Sequence, residues 1–186
     1  MAASLWPAPT LYHVCCKCTA LGAVLKCPCH VVYYCSTECQ KDHYLEHKHE
    51  CTDHLRKGIK KKSAVISQLQ DQGSSNGVAS VELMVLEQEL AQIHNRVGML
   101  MMASLQAAKY QAAETHFKQA LHLYRKVEAS CGTLRGAAAR VAAGKLADKA
   151  APEGLYAVMF NLGQLYGFMS KNDDELQVLQ EALDEV

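Results

Sequence analysis

Eight of the nine cysteines in this 186-residue chain fall between Cys15 and Cys51. Seven of these and one histidine form four short-range pairs: Cys15-x2-Cys18, Cys27-x-Cys29, Cys35-x3-Cys39 and His47-x3-Cys51. Gaps this short let both side chains of a pair reach one ion from a tight turn or a single helical turn, at Zn–S distances of about 2.3 Å. Eight soft or borderline donors suffice for two closed four-coordinate sites, so the expected cofactor is two Zn²⁺ ions held by Cys15, Cys18, Cys27, Cys29, Cys35, Cys39, His47 and Cys51. An isolated cysteine reads as a small buried hydrophobe, but eight donors at chelating spacing do not. Only Cys15 leaves a two-residue gap before Cys18, so Cys16 reads as a spare thiol. His13, His43, His49 and His54 have no partner at ligand spacing and read as surface residues.

Composition sets the frame for the rest of the chain. Apolar residues make up 49% of it and aromatics only 6%, which suits a helical core built from alanine and leucine better than a β-sandwich. Lysine plus arginine balances aspartate plus glutamate, 19 against 19, so no global field draws in nucleic acid or an anionic membrane. Residues 1–10 carry no Lys or Arg and place Pro7 and Pro9 where a signal peptide needs an apolar helical run. No apolar stretch reaches the roughly 18 residues of a membrane span. The expectation is an intracellular, cytoplasmic protein without a membrane partner, and in a reducing compartment such a cysteine cluster binds metal rather than forming disulfides.

Two local readings follow from spacing. Cys35-Ser36-Thr37-Glu38-Cys39 reads as a helix start, with Ser36 or Thr37 as the cap. His47 and Cys51 lie in a run from Glu38 to His54 with few helix breakers, which predicts that the two stack on one helical face. The string Tyr34-Cys35-Ser36-Thr37-Glu38-Cys39-Gln40, followed by Asp42, Tyr44, His47-Lys48 and Cys51, closely resembles the MYND zinc finger. The resemblance covers residues 15–51 and implies a short hairpin plus a helix with interleaved metal pairs. Cys15, Cys18, Cys35 and Cys39 would hold one zinc, and Cys27, Cys29, His47 and Cys51 the other. The family's second pair is usually C-x2-C, whereas this one reads Cys27-Pro28-Cys29-His30. Cys29 keeps the usual five-residue gap to Cys35 and is favoured, with His30 as the alternative ligand.

A catalytic zinc keeps one position open for water, and two closed sites leave none, so the metals are expected to be structural and the protein not an enzyme. SMYD lysine methyltransferases also join a MYND finger to helices. Neither the glycine-rich cofactor segment nor the NH-x-x-C motif of their catalytic domain is present in this sequence. The resemblance implies a protein-interaction module that binds a peptide segment, with Tyr33, Tyr34 and Tyr44 as aromatic contacts. The alternative is a nucleic-acid-associated regulator working through Lys41, Lys48, Arg56, Lys57, Lys60, Lys61 and Lys62. Asp42, Glu46, Glu50 and Asp53 interleave with the first half of that run, so a solvated helix end is expected and nucleic acid is not the favoured partner.

The polar, glycine-containing stretch from Asp71 to Ser80 predicts a flexible connection. The expected organisation is a finger over 12–54, a basic helix and linker over 55–79, and an all-α domain over 80–186. From Val81 to Lys109, Val81, Met84, Val85, Leu90, Ile93, Val97, Leu100 and Met101 recur at helical spacing, with Gln88 as the exception. The Met99–Met102 stripe reads as core. Ala108, Tyr110, Ala113, Phe117, Ala120 and Leu121 resemble the second half of a tetratricopeptide (TPR) unit. Leu162, Gly163, Tyr166, Leu179, Ala182 and Leu183 fit the same template. In it, small residues allow close helix crossing and aromatics fill the gaps.

The stretch from Gly136 to Ala151 reads as an alanine-rich insertion before Pro152, and Cys131 has no assigned role. Such arrays usually need about three repeats and a capping helix, so either the helix from Val81 serves as a cap or the TPR-like hairpin array is a truncated version of a longer one, with truncation favoured. The fold class is therefore a zinc-stabilised MYND finger followed by TPR-like helical hairpins. The expected function is an adaptor that docks one partner on the finger and a helical or peptide partner on the helices. Proteins with this order of parts are similar to scaffold components of cilia or flagella.

Overall fold

The computed structural model describes residues 13–29, 31–71, 77–133, 144 and 154–184. The chain divides into two compact units, Met1–His54 and Leu55–Val186.

The first unit carries little regular structure. A two-residue strand β1, Leu25–Lys26, pairs antiparallel with β2, Tyr33–Tyr34, in the register Leu25 with Tyr34 and Lys26 with Tyr33. Isolated bridges add Val14 to Leu21 and Cys15 to Tyr33. Thr19 takes a left-handed backbone, φ 62°, and donates its N–H back to the Cys15 carbonyl at 2.9 Å, which closes a knuckle around Cys15 and Cys18. Helix α1, Thr37–His47, starts where Ser36 caps it by accepting from the Cys39 N–H at 3.3 Å. Of its eleven residues only His47 is buried, so α1 has no apolar stripe with which to pack. The buried apolar positions of this unit are Cys15, Ala23, Cys27, Tyr34 and Cys51, of which three are cysteines.

The chain leaves α1 at His47 and enters α2, Thr52–Asp71, after a turn in which the Glu50 N–H reaches the His47 carbonyl at 2.9 Å. His47 and Cys51 therefore do not share one helical face, as their spacing suggested. A helix end and the turn after it bring them together instead. In the second unit follow α3, Gly77–Ala103; α4, Ala107–Thr133; α5, Gly154–Phe168; and α6, Asn172–Asp184. Both flanks of the expected linker are thus helical, and residues 72–76 lie outside the described residues. So do 134–143 and 145–153, where the alanine-rich insertion falls.

The helical pattern from Val81 to Lys109 is broken at residues 104–106, where Leu105 adopts φ 52°. Helices α3 and α4 pair antiparallel across that turn: Gly98 meets Phe117, His94 meets His116 at 2.9 Å between Nδ1 atoms, and Glu87 meets Lys126. Helix α5 lies antiparallel to α4, with Tyr166 donating to Glu114 at 3.3 Å, and is tied to α3 by Asn161 donating to Asn95 at 3.0 Å. A turn with Ser170 at φ 57° then folds α6 back, and Leu179 stands 3.1 Å from where a Cβ on Gly163 would lie.

The core that results is apolar and contiguous: Ala91, Val97, Met101, Ala113, Phe117, Ala120, Val158, Leu162, Leu165 and Tyr166, flanked by Leu55 and Ile59 of α2. Burial disfavours ionising Glu114, yet hydrogen bonds from Lys118 at 2.7 Å and Lys171 at 2.9 Å outweigh it and hold the carboxyl down at about 2. Two of the template alanines behave differently. Ala113 is fully buried while Ala108 is exposed, because five residues turn a helix by about 140°. Leu183, expected inside, is exposed. Gln88 is buried, and its side-chain oxygen has no hydrogen-bond partner among the described residues.

Candidate metal centre

The finger draws its eight donors into two groups. Cys15, Cys18, Cys35 and Cys39 form one, and Cys27, Cys29, His47 and Cys51 the other, with the ligand atoms of each group within 4.8 Å of one another. Each group joins one pair from an amino-terminal knuckle to one pair from the carboxy-terminal half, so the two are interleaved along the chain. In the first, the Cys15–Cys18 knuckle meets Cys35 after β2 and Cys39 in the first turn of α1. In the second, Cys27 and Cys29 at the hairpin loop meet His47 at the end of α1 and Cys51 just before α2.

The separations suit a tetrahedral ion. Around zinc, sulfurs at about 2.3 Å from the metal stand about 3.8 Å apart, and a sulfur and an imidazole nitrogen about 3.6 Å apart. In the first group Cys18 and Cys35 sulfurs are 3.5 Å apart and those of Cys35 and Cys39 3.6 Å apart. In the second, Cys27 and Cys51 sulfurs lie 3.7 Å apart, and His47 Nε2 is 3.3 Å from Cys27 and 3.4 Å from Cys29. A disulfide brings its sulfurs to about 2.05 Å, far closer than any of these pairs.

Electrostatics point the same way. Burial, reinforced by Cys29 and Cys51, pushes the Cys27 thiol up to about 12. Hydrogen bonding with Cys18 and Cys39 pushes Cys35 up to about 12. Cys15 runs opposite, drawn down to about 6 by a backbone N–H of Cys18 against the effect of burial. Burial, then repulsion from His43, lowers His47 and keeps its imidazole neutral, the form that binds metal. Zn²⁺ deprotonates the sulfurs it binds, so the raised thiols of Cys27 and Cys35 would give up their protons to the ion. Either group could hold one zinc ion. With all four corners filled by protein, neither offers a position for an activated water.

The surroundings of the groups depart from the sequence reading at several residues. Tyr34, expected as a surface aromatic contact, is 1% exposed: it sits in the finger core and its hydroxyl hydrogen-bonds His43 Nδ1 at 3.1 Å. Neighbouring side chains on a strand point to opposite faces, so only one of Tyr33 and Tyr34 can turn outward. Tyr33 is half-buried and stacks on His13 at 3.6 Å, while Tyr44 is exposed and meets His54 Nδ1 at 3.2 Å. His43 is half-buried rather than a surface residue, placed between Tyr34 and His47. Its value to the site was legible only in its position four residues before His47 on α1. Cys16 is exposed and outside both groups. Cys29 belongs to the second group, and His30 lies outside the described residues.

Around this small core the finger leaves Val14, Leu21, Val24, Val31, Tyr44 and Leu45 exposed. On α2, Arg56, Lys60 and Lys61 are exposed, whereas Lys62 is held by Glu89 of α3. No helix among the described residues is long and apolar enough to cross a membrane.

A family model described as the MYND finger matches residues 14–51, the segment that holds both groups. MYND fingers are protein-interaction modules built around two zinc ions, and no enzyme family is indicated for the chain. No curated protein and no solved structure matches it.

Proposed function

We propose that this protein is a non-enzymatic adaptor, in which a zinc-clamped finger docks a peptide segment of one protein and the helical unit docks another. Cys15, Cys18, Cys35 and Cys39 bind one Zn²⁺, and Cys27, Cys29, His47 and Cys51 the second. The finger spans 12–54, a basic helical and linker segment 55–79, and a TPR-like domain 80–186. What carries the reading is an inversion of the usual arrangement: the finger spends its interior on metal donors and leaves six large apolar side chains, Val14, Leu21, Val24, Val31, Tyr44 and Leu45, in solvent. Exposed apolar surface on so small a unit fits a protein partner. The TPR-like assignment draws support from antiparallel helix pairs in which Gly98 admits Phe117 and Gly163 admits Leu179, with Ala113 and Ala120 buried in the same core. The order of parts resembles zinc finger MYND domain-containing protein 12, which favours a cytoplasmic scaffold of the cilium or flagellum.

A pull-down with identification of retained proteins by mass spectrometry tests the adaptor. The variant Val24→Asp/Val31→Asp, which leaves all eight donors in place, should lose the finger's partner while keeping its zinc. Retention of the same proteins by that variant would count against the finger as the docking element. The competing reading, nucleic-acid binding through exposed Arg56, Lys60 and Lys61, predicts instead a salt-dependent oligonucleotide complex lost in Lys60→Ala/Lys61→Ala.

A further inference from the structure

The hairpin of α5 and α6 presents a surface that its own packing does not use. Leu176 and Leu183 are 68% and 69% exposed, and Phe160 on α5 is 56% exposed. Seven residues are close to two helical turns, so Leu176 and Leu183 fall on one line of α6. The α5–α6 contact is made by other residues: Leu179 fills the space left by Gly163, and Glu175 lies over Gly167. The leucine line is therefore surplus to the hairpin and faces solvent.

Its electrostatic setting is one-sided. Helix α6 carries Asp173, Asp174, Glu175, Glu181 and Asp184 and no lysine or arginine. Among the described residues, only Glu181 is neutralised by a basic side chain, through Arg125 at 2.9 Å. Asp173 stands three residues before Leu176 and Asp184 directly follows Leu183, so exposed carboxylates border the apolar line at both ends. Such a surface repels nucleic acid and anionic lipid. It complements apolar anchors flanked by positive charge.

We propose that this face of α5 and α6 docks a basic amphipathic helix of a partner protein, with leucine-type anchors seated along Leu176, Leu183 and Phe160 and lysines or arginines set against Asp173 and Asp184. A helical ligand fits because anchors at i, i+3 or i+4, and i+7 match a line of leucines repeating every seven residues. A second copy of this chain fits less well. Its own basic helix α2 turns Ile66 into the interior and packs Leu55 and Ile59 on the core, so it would bring Arg56, Lys60 and Lys61 without apolar anchors.

The proposal deepens the adaptor reading for the helical unit alone, and the finger's docking test reads a different surface, so the two can fail separately. The experiment uses the zinc-loaded full chain and a synthetic helical peptide with leucines at three- and four-residue spacing flanked by lysines, titrated by fluorescence anisotropy. A control peptide keeps the leucines and replaces the lysines with glutamates. The wild type should bind the basic peptide and not the acidic one. Leu176→Ser/Leu183→Ser and Asp173→Asn/Asp184→Asn should each weaken binding about tenfold or more. All four positions are exposed, so the fold should survive, and circular dichroism checks that it does. Equal affinity of both double variants and the wild type would overturn the proposal. So would a dimer in analytical ultracentrifugation that the leucine variant abolishes, since that would make the face a self-association surface.

Discussion

In the finger, three of the five buried apolar positions are cysteines belonging to the metal groups, and its one helix of eleven residues buries only a histidine. In the helical unit the interior is Phe117, Met101, Val97, Val158, Leu162, Leu165 and Tyr166 with alanines between them, and the helices supply apolar stripes long enough to close on one another. The two units teach different lessons about stability. A segment as short as the finger buries too little apolar surface to fold unaided, and a structural zinc site makes up the deficit with an apparent stabilisation of roughly 10–16 kcal/mol. In the helical unit, apolar packing supplies that role.

Substitutions separate the two most sharply. Cys27→Ser should remove the zinc of the second group and most of the finger's order, with the helical unit untouched. Phe117→Ala, at the fully buried centre of the helical core, should cost about 3–5 kcal/mol there and leave zinc content unchanged. Metal analysis paired with hydrogen exchange reads both. A milder test in the same core is Gly98→Ala. Its methyl would stand 2.6 Å from the Phe117 ring, so overpacking should destabilise the unit by about 1–3 kcal/mol, against the gain in helix propensity that alanine normally brings.

Acid sharpens the contrast from the helical side. Glu114 titrates at about 2 in the folded protein against an ordinary 4.5, so its stabilisation is complete above 4.5 and lost as pH falls through about 2. His94 is lowered by burial, and by His116, from 6.5 to about 4. Its neutral form favours folding above 6.5, and that contribution is lost as pH falls through about 4. Exchange in α3–α5 should therefore rise in two steps on acidification, and Glu114→Gln should remove the lower one. The smallest effect is expected at Ser170, whose left-handed backbone ends α5 with the Lys171 N–H on the Tyr166 carbonyl at 2.9 Å. Glycine tolerates that conformation without strain, so Ser170→Gly should raise the thermal midpoint through about 1 kcal/mol.

How far each unit could be read from sequence follows from the same contrast. Metal donors announce themselves by type and spacing, and the eight residues singled out that way are the eight the structure gathers into two groups. The route by which they meet was less legible: His47 and Cys51 have helical spacing, yet a helix end separates them. Tyr34 also read as surface, because alternation along a strand says that two neighbours face opposite ways without saying which one faces in. In the helical unit, periodicity located Val81, Met84, Leu90, Val97 and Met101 as buried. It missed the buried Glu87 and Glu114: Lys126, which pairs with Glu87, and Lys171, which joins Lys118 on Glu114, lie far along the chain. Gly98 left one signal, since a glycine inside a helical pattern usually marks a close approach.

The most direct test of the account measures zinc per chain in the purified full-length protein, then follows hydrogen exchange by peptide before and after a strong chelator. Two zinc ions are expected, with residues 13–51 losing protection once the metal is stripped while α3–α6 keep theirs. A metal-free chain whose first unit is still protected, or a helical unit that unfolds together with the finger, would contradict it.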